Sequence, residues 1–209
     1  MDYAEMIVGY QRFRATGWRR ERARWAELAE GQSPKVMVIA CSDSRVEPAV
    51  IFDAAPGELF TVRNIANLVP PFENDGGRHG VSAAVEFAVT QLEVPEIVVL
   101  GHGACGGCRA ALSATFEGAQ PGEGGFIAHW IDLLDGAREK VLESHGDTPE
   151  GRSALEHEAV KVSIANLRTF PFIPEREAAG KLKIHGAWFA IADGTLHLLD
   201  PETGSFGEA

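Results

Sequence analysis

Cysteine is scarce in this 209-residue chain: Cys41, Cys105 and Cys108 are the only three. So small and odd a number makes no disulfide framework. It points to a reducing compartment, expected to be the cytoplasm, and to thiols kept for chemistry. Positive charge is also short. The 19 Lys and Arg face 30 Asp and Glu, a formal net charge of −11, which argues against a nucleic-acid partner or an anionic membrane surface. Long apolar runs are missing, and the opening residues MDYAEMIVGYQRFRATGWRR are expected to be neither a secretion signal nor a membrane span. With no repeat, linker or low-complexity tract, one domain over residues 1–209 is expected.

What is present is ordinary globular material, 45% apolar and 23% charged. Residues 2–30 read as a helical arm broken near Gly17, rich in apolar surface from Tyr10, Phe13, Trp18, Trp25 and Leu28. VMVIA (36–40), ELFTV (58–62) and EIVVLG (96–101) read as strands, the first and third apolar enough for a buried parallel sheet. Val81, Ala84, Val85, Ala88, Val89 and Leu92 share one helical stripe between the last two, completing a βαβ pattern. Phe126, Trp130, Leu133, Ala137 and Val141 form a second stripe, and Val160, Ile164 and Leu167 part of a third that Pro171 and Pro174 should end. KLKIHGAWFAIA and TLHLL flank Asp193-Gly194, a hairpin signal, and residues 200–209 read as a tail. The fold class is α/β: about four mostly parallel strands plus an antiparallel C-terminal strand, flanked by helices.

GHGACGGC, residues 101–108, supports three readings. Gly101, Gly103 and Gly106 spell a dinucleotide fingerprint, but no second strand ending in an acid follows; the chain runs into the loop EGAQPGEGGF instead. Cys105 and Cys108 spell a redox C-x-x-C near a helix start. That motif would be expected after a first strand rather than a third, and it leaves His102 and Cys41 unexplained. The metal reading uses both. Cys41 ends one strand and His102 and Cys105 follow another, at the edge where parallel sheets bind ligands. Two thiolates and an imidazole suit zinc and leave a fourth position open. Beside Cys41, CSDSRV reads almost equally as a turn whose Ser and Asp cap the next helix.

CSDSRV, GELFTVRNIANLVPP and GHGACGG together resemble the β-class carbonic anhydrases, over nearly the whole chain. The resemblance implies one zinc per chain on Cys41, His102 and Cys105, an Asp43–Arg45 dyad, and reversible hydration of CO2 to bicarbonate and a proton. It implies that Gln32 donates its amide to substrate, that Phe60, Ile65 and Phe87 line an apolar slot, and that Gly106 lies on the substrate side. Phe87 sits opposite the 81–92 stripe, and in the family its cover includes a second subunit, so self-association as a dimer or tetramer is expected. Cys108 departs from the family's usual apolar residue and is expected to be a buried bystander thiol. His79, His129, His145, His157, His185 and His197 show no ligand spacing. One branch of the family closes its site with the dyad Asp and holds bicarbonate against a Trp three residues before the first zinc Cys. Here that position is Val38, although Arg63 could still meet an anion. GQSPKVMVIAC and NIANLVPP resemble the open branch, so Asp43 is expected on Arg45. Rival activities are hydrolysis of carbonyl sulfide or carbon disulfide on the same site, a C-x-x-C redox protein, and a non-catalytic zinc scaffold.

Overall fold

The apolar runs at 36–41 and 96–102 leave no polar face, so each needs cover on both sides. In a computed structural model, which describes residues 1–209, they form the adjacent central strands of a six-stranded sheet. The strands are β1 (Val36–Cys41), β2 (Leu59–Asn64), β3 (Glu96–His102), β4 (Lys183–Phe189), β5 (Leu196–Leu199) and β6 (Phe206–Glu208). Their order is β2-β1-β3-β4-β5-β6; the first four are mutually parallel and the last two antiparallel. Alternation splits β1 between two cores. Met37 and Ile39 join Ile97 and Val99 on one face, while Val38 and Ala40 join Leu100 and Ala187 on the other.

Two compact units divide the chain, Met1–Ser33 and Pro34–Ala209. The first is helical: α1 (Tyr3–Ala15), α2 (Gly17–Arg20) and α3 (Arg22–Glu30). Asp2 and Glu5 close a capping box on α1. Phe13 meets Trp25 edge-on at 5.7 Å, yet no residue of these helices is buried.

In the second unit, α4 (Pro48–Ile51) follows β1 and α5 (Gly80–Glu86) follows β2. The 81–92 stripe packs on the core as expected, but its second half, Phe87–Gln91, widens into a π-turn. After β3 come α6 (Gly106–Leu112), α7 (Gly125–Ile131), α8 (Asp135–His145), α9 (Pro149–Leu167) and α10 (Phe172–Ala178). The stripe expected over 126–141 is broken by a tighter 3-10 turn at Asp132–Leu134, which shifts the helical phase. Phe126 is thereby left exposed while Leu134, Ala137 and Val141 are buried. Pro171 and Pro174 do more than end α9: they open α10, where first-turn N–H groups need no partner. No helix is long and apolar enough to cross a membrane.

Residues 200–209 are not a loose extension. Asp200 accepts from the Glu202 N–H at 2.8 Å, Gly204 turns at φ +69°, and β6 returns against β5. Its Phe206 stacks on His157 of α9 at 4.3 Å, and Trp188 of β4 meets the same imidazole at 4.9 Å. Burial pushes His157 down to about 4, with Lys161 and His197 adding to that and Glu158 opposing. The depressed value means that the contribution of neutral His157 is complete above its ordinary value of 6.5 and is lost as pH falls towards 4. Thermal unfolding at pH 4.5 and 7.5 should therefore differ less in His157→Leu than in the parent. At the sheet centre, a Cβ on Gly186 would lie 2.8 Å from Leu199 Cδ2 and 2.9 Å from Val160 Cγ1. Gly186→Ala should cost about 1–3 kcal/mol by overpacking, read from denaturant midpoints.

Candidate metal centre

β1 leads to β2 on one side, and β2 returns past β1 to β3 on the other. Such a reversal opens a crevice outside the carboxyl ends of the two strands. Cys41 is the last residue of β1 and His102 the last of β3; Cys105 stands just before α6. All three are buried, and their ligand atoms lie within 4.8 Å of one another.

The donor set suits a soft divalent cation. His102 Nδ1 donates to the Gly103 carbonyl at 2.9 Å, so Nε2 carries the bare lone pair, buried and without a hydrogen-bond partner. As a neutral thiol Cys41 is pushed up to about 12, first by its hydrogen bond with Cys105 and then by burial. Cys105 is pushed up to about 12, first by its hydrogen bond with Cys108, with burial adding. A coordinating divalent cation inverts that balance and takes the thiolates outright. The backbone N–H groups of Asp43 near Cys41 and of Cys108 near Cys105 already favour the thiolates.

The stretch after Cys41 is not a helix cap. α4 has Glu47 before it and no side-chain cap at all. Instead Asp43 and Arg45 form a two-pronged pair, Nε to Oδ1 at 2.9 Å and Nη2 to Oδ2 at 2.7 Å. These bonds hold the Asp43 carboxyl well below the usual range. Its Oδ2 lies 4.0 Å from His102 Nε2. Arg45 Nη2 also donates to the Ala104 carbonyl at 3.1 Å, tying the two loops together. Arg63 is not available to an anion. It donates to the carbonyls of Cys41 (2.9 Å), Asp43 (2.7 Å) and Val46 (3.2 Å) and pairs with Glu47.

The glycines of GHGACGGC serve close packing more than ligand approach. Any Cβ on Gly101 would fall 2.7 Å from Val160 Cγ2, and one on Gly103 would fall 3.2 Å from the Trp188 ring. A Cβ on Gly107 would fall 2.7 Å from Ile65 Cγ2, while Gly106 faces open space. Cys108 is buried in the core around Leu112 and touches the Cys105 thiol. Ile65 is half-exposed, and its carbonyl accepts from Trp130 Nε1 at 2.8 Å.

Phe60 and Phe87 stack at 6.0 Å, but not beside Cys41 of their own chain. In register Phe60 faces Met37, whereas Cys41 faces Asn64. That offset of four positions is about 13 Å along a strand. Gln32 is exposed in the N-terminal unit.

Two features escaped the sequence pattern. Glu156 is 3% exposed and accepts from the Cys105 N–H at 2.9 Å and from Trp188 Nε1 at 3.3 Å. Its one signal is an acid lying four residues before Val160 inside the buried stripe of α9. Glu73, Asp75 and His79 also gather their ligand atoms within 4.8 Å, but on the surface, with His79 Nε2 2.7 Å from Asp75.

A family model for carbonic anhydrase matches residues 36–196. Beta carbonic anhydrase 3 of Arabidopsis thaliana is 38% identical over 202 residues, covering 95% of this chain and 77% of that protein. Mitochondrial beta carbonic anhydrase 6 of the same plant is 38% identical over 194 residues, 92% of this chain and 66% of that protein. Among solved structures, the β-carbonic anhydrase CcaA superposes with a TM-score of 0.90 at 30% identity, over 99% of this chain and 91% of that one. A tetrameric β-carbonic anhydrase of Sordaria macrospora gives 0.81 at 29% identity, over 98% of each chain. With its thiol and imidazole donors converging at the strand switch, the chain belongs to the β-class carbonic anhydrases, enzymes of the carbonate dehydratase kind.

Proposed function

We propose that this protein catalyses the zinc-dependent, reversible hydration of CO2 to bicarbonate and a proton, with zinc on Cys41, His102 and Cys105. The observation that carries the reading is the buried, partnerless Nε2 of His102 converging with two thiols at the β1/β3 crevice. Zinc on a three-ligand set would supply Lewis acidity at its open position, making water a competent nucleophile near neutral pH.

The protein's part is orientation. Hydration adds a water oxygen to the carbon of CO2, and an ionised carboxylate can only accept hydrogen bonds. Asp43 therefore accepts from the O–H of the nucleophile and turns its lone pair towards carbon. Arg45 keeps Asp43 ionised and aimed through its two-pronged contact. With Asp43 on Arg45 and Arg63 committed to backbone carbonyls, the site is of the open kind, and bicarbonate acts as product alone. Ile65 and Gly106 border the space for CO2. Because Phe60 and Phe87 stack towards the other end of β2, they complete the apolar slot of a second copy. The half-exposed Ile65 and Phe87 and the unburied apolar arm at 1–33 support self-association, as does the tetrameric relative. All three cysteines are free, which fits a reducing compartment such as the cytoplasm.

Replacing Cys41, His102 or Cys105 with Ala should strip most of the zinc and abolish CO2 hydration, read by metal analysis and stopped-flow assay. Full zinc in Cys105→Ala with loss in Cys108→Ala would move the site to the C-x-x-C. Parallel assays with CO2 and carbonyl sulfide separate the hydratase from a hydrolase on the same site. Asp43→Ala and Arg45→Ala should each cut turnover about 100-fold with zinc retained, since misaligned reacting groups lose rate on that scale. The double variant should be little worse than either single one, because the pair acts as a unit.

A further inference from the structure

Glu156 is a buried acid that the hydration chemistry leaves unused. It lies on α9, far along the chain from every ligand, and no Lys, Arg or His pairs with it. Two N–H groups converge on its carboxylate instead, one on each oxygen: the Cys105 amide on Oε1 at 2.9 Å and the Trp188 indole on Oε2 at 3.3 Å. Only a group that accepts on both oxygens satisfies two donors aimed from opposite sides.

The peptide it grips is strained. Ala104 sits at φ +55°, in the left-handed region that a residue with a Cβ disfavours. The Ala104–Cys105 peptide is held at both ends, its carbonyl by Arg45 at 3.1 Å and its N–H, that of Cys105, by Glu156 at 2.9 Å. One position earlier, the Gly103 N–H is fixed on the Phe189 carbonyl at 2.9 Å. Trp188 is clamped in turn. Its ring abuts His157 at 4.9 Å and His197 at 5.4 Å, and it lies across Gly101 and Gly103, where side chains would crowd it.

We propose that Glu156, oriented by the Trp188 indole, is a positioning residue for the metal loop: it holds Ala104 in its left-handed conformation and so turns Cys105 Sγ towards Cys41 and His102. This rests on the assignment of zinc to those three residues.

The test is zinc affinity of the full chain, measured by chelator competition alongside thermal unfolding, for the parent, Cys41→Ala, Glu156→Gln and Trp188→Phe. A Gln at 156 must turn its NH2 towards an N–H donor, whereas a Phe at 188 removes one donor and keeps a ring. Glu156→Gln should weaken zinc binding about 10- to 100-fold, the usual effect of losing a group that orients a ligand, and Trp188→Phe by less. Adding Ala104→Gly should restore part of the affinity lost in Glu156→Gln, because glycine enters the left-handed region without penalty; a general packing defect at 156 would gain nothing from it. Parent-like affinity in Glu156→Gln, or no recovery with Gly at 104, overturns the inference. Should Glu156→Gln not fold, Trp188→Phe decides, and parent-like affinity there overturns it. The zinc assignment itself fails in a different way, through a parent that takes up no zinc or a Cys41→Ala variant that binds it equally well.

Discussion

Everything in this molecule depends on β1 and β3 lying side by side in parallel and ending at one edge. Residues far apart in sequence can share a metal only if the chain brings them back to the same height, and parallel pairing does so by backbone hydrogen bonds alone. The register that sets Ala40 beside Leu100 leaves Cys41 one residue and His102 two residues further out, where the two strands stop. The apolar burial that stabilises the central strands is thus the same interaction that assembles the site.

Around those donors the polar groups are arranged so that little is left free to move. Arg63 gathers three carbonyls of the 41–46 segment, Arg45 joins that segment to Ala104, and Glu156 holds the other side of the same peptide. Two arginines act from the solvent side and one carboxylate from the core. The division follows solvation: a guanidinium near the surface keeps part of its hydration, whereas the carboxylate is buried and needs every lone pair matched. Asp43 is fixed by the same framework, since its two-pronged contact with Arg45 keeps the carboxylate ionised and in place.

Much of the fold was legible in the chain. Strands at 36–40 and 96–101, each one residue short of its observed end, the helix after residue 80, and the hairpin at Asp193-Gly194 follow from runs, periodicity and turn chemistry, which act over a few residues. Strand β6 was not, because Phe206–Glu208 is too short to show a period and is held by pairing with β5 and by Phe206 on His157. The phase break inside the 126–141 stripe was hidden for a related reason. A 3-10 turn changes which residues face inward without changing their composition.

At the site, the residue types and spacing of Cys41, Asp43, Arg45, His102 and Cys105 were readable as they stand, because each motif is local and its chemistry is carried by the side chains themselves. What only the tertiary structure decided is what those side chains meet. An Asp and an Arg two residues apart can cap a helix or face each other, and the strand-end geometry made them a pair. Glycines can admit a ligand or a neighbour, and packing set Trp188 and Ile65 against them. Glu156, an unremarkable acid in an amphipathic helix, became the partner of Cys105 only when α9 was laid across the end of β3. Hydrogen bonds between distant segments depend on where the whole chain places them, and no local pattern records that.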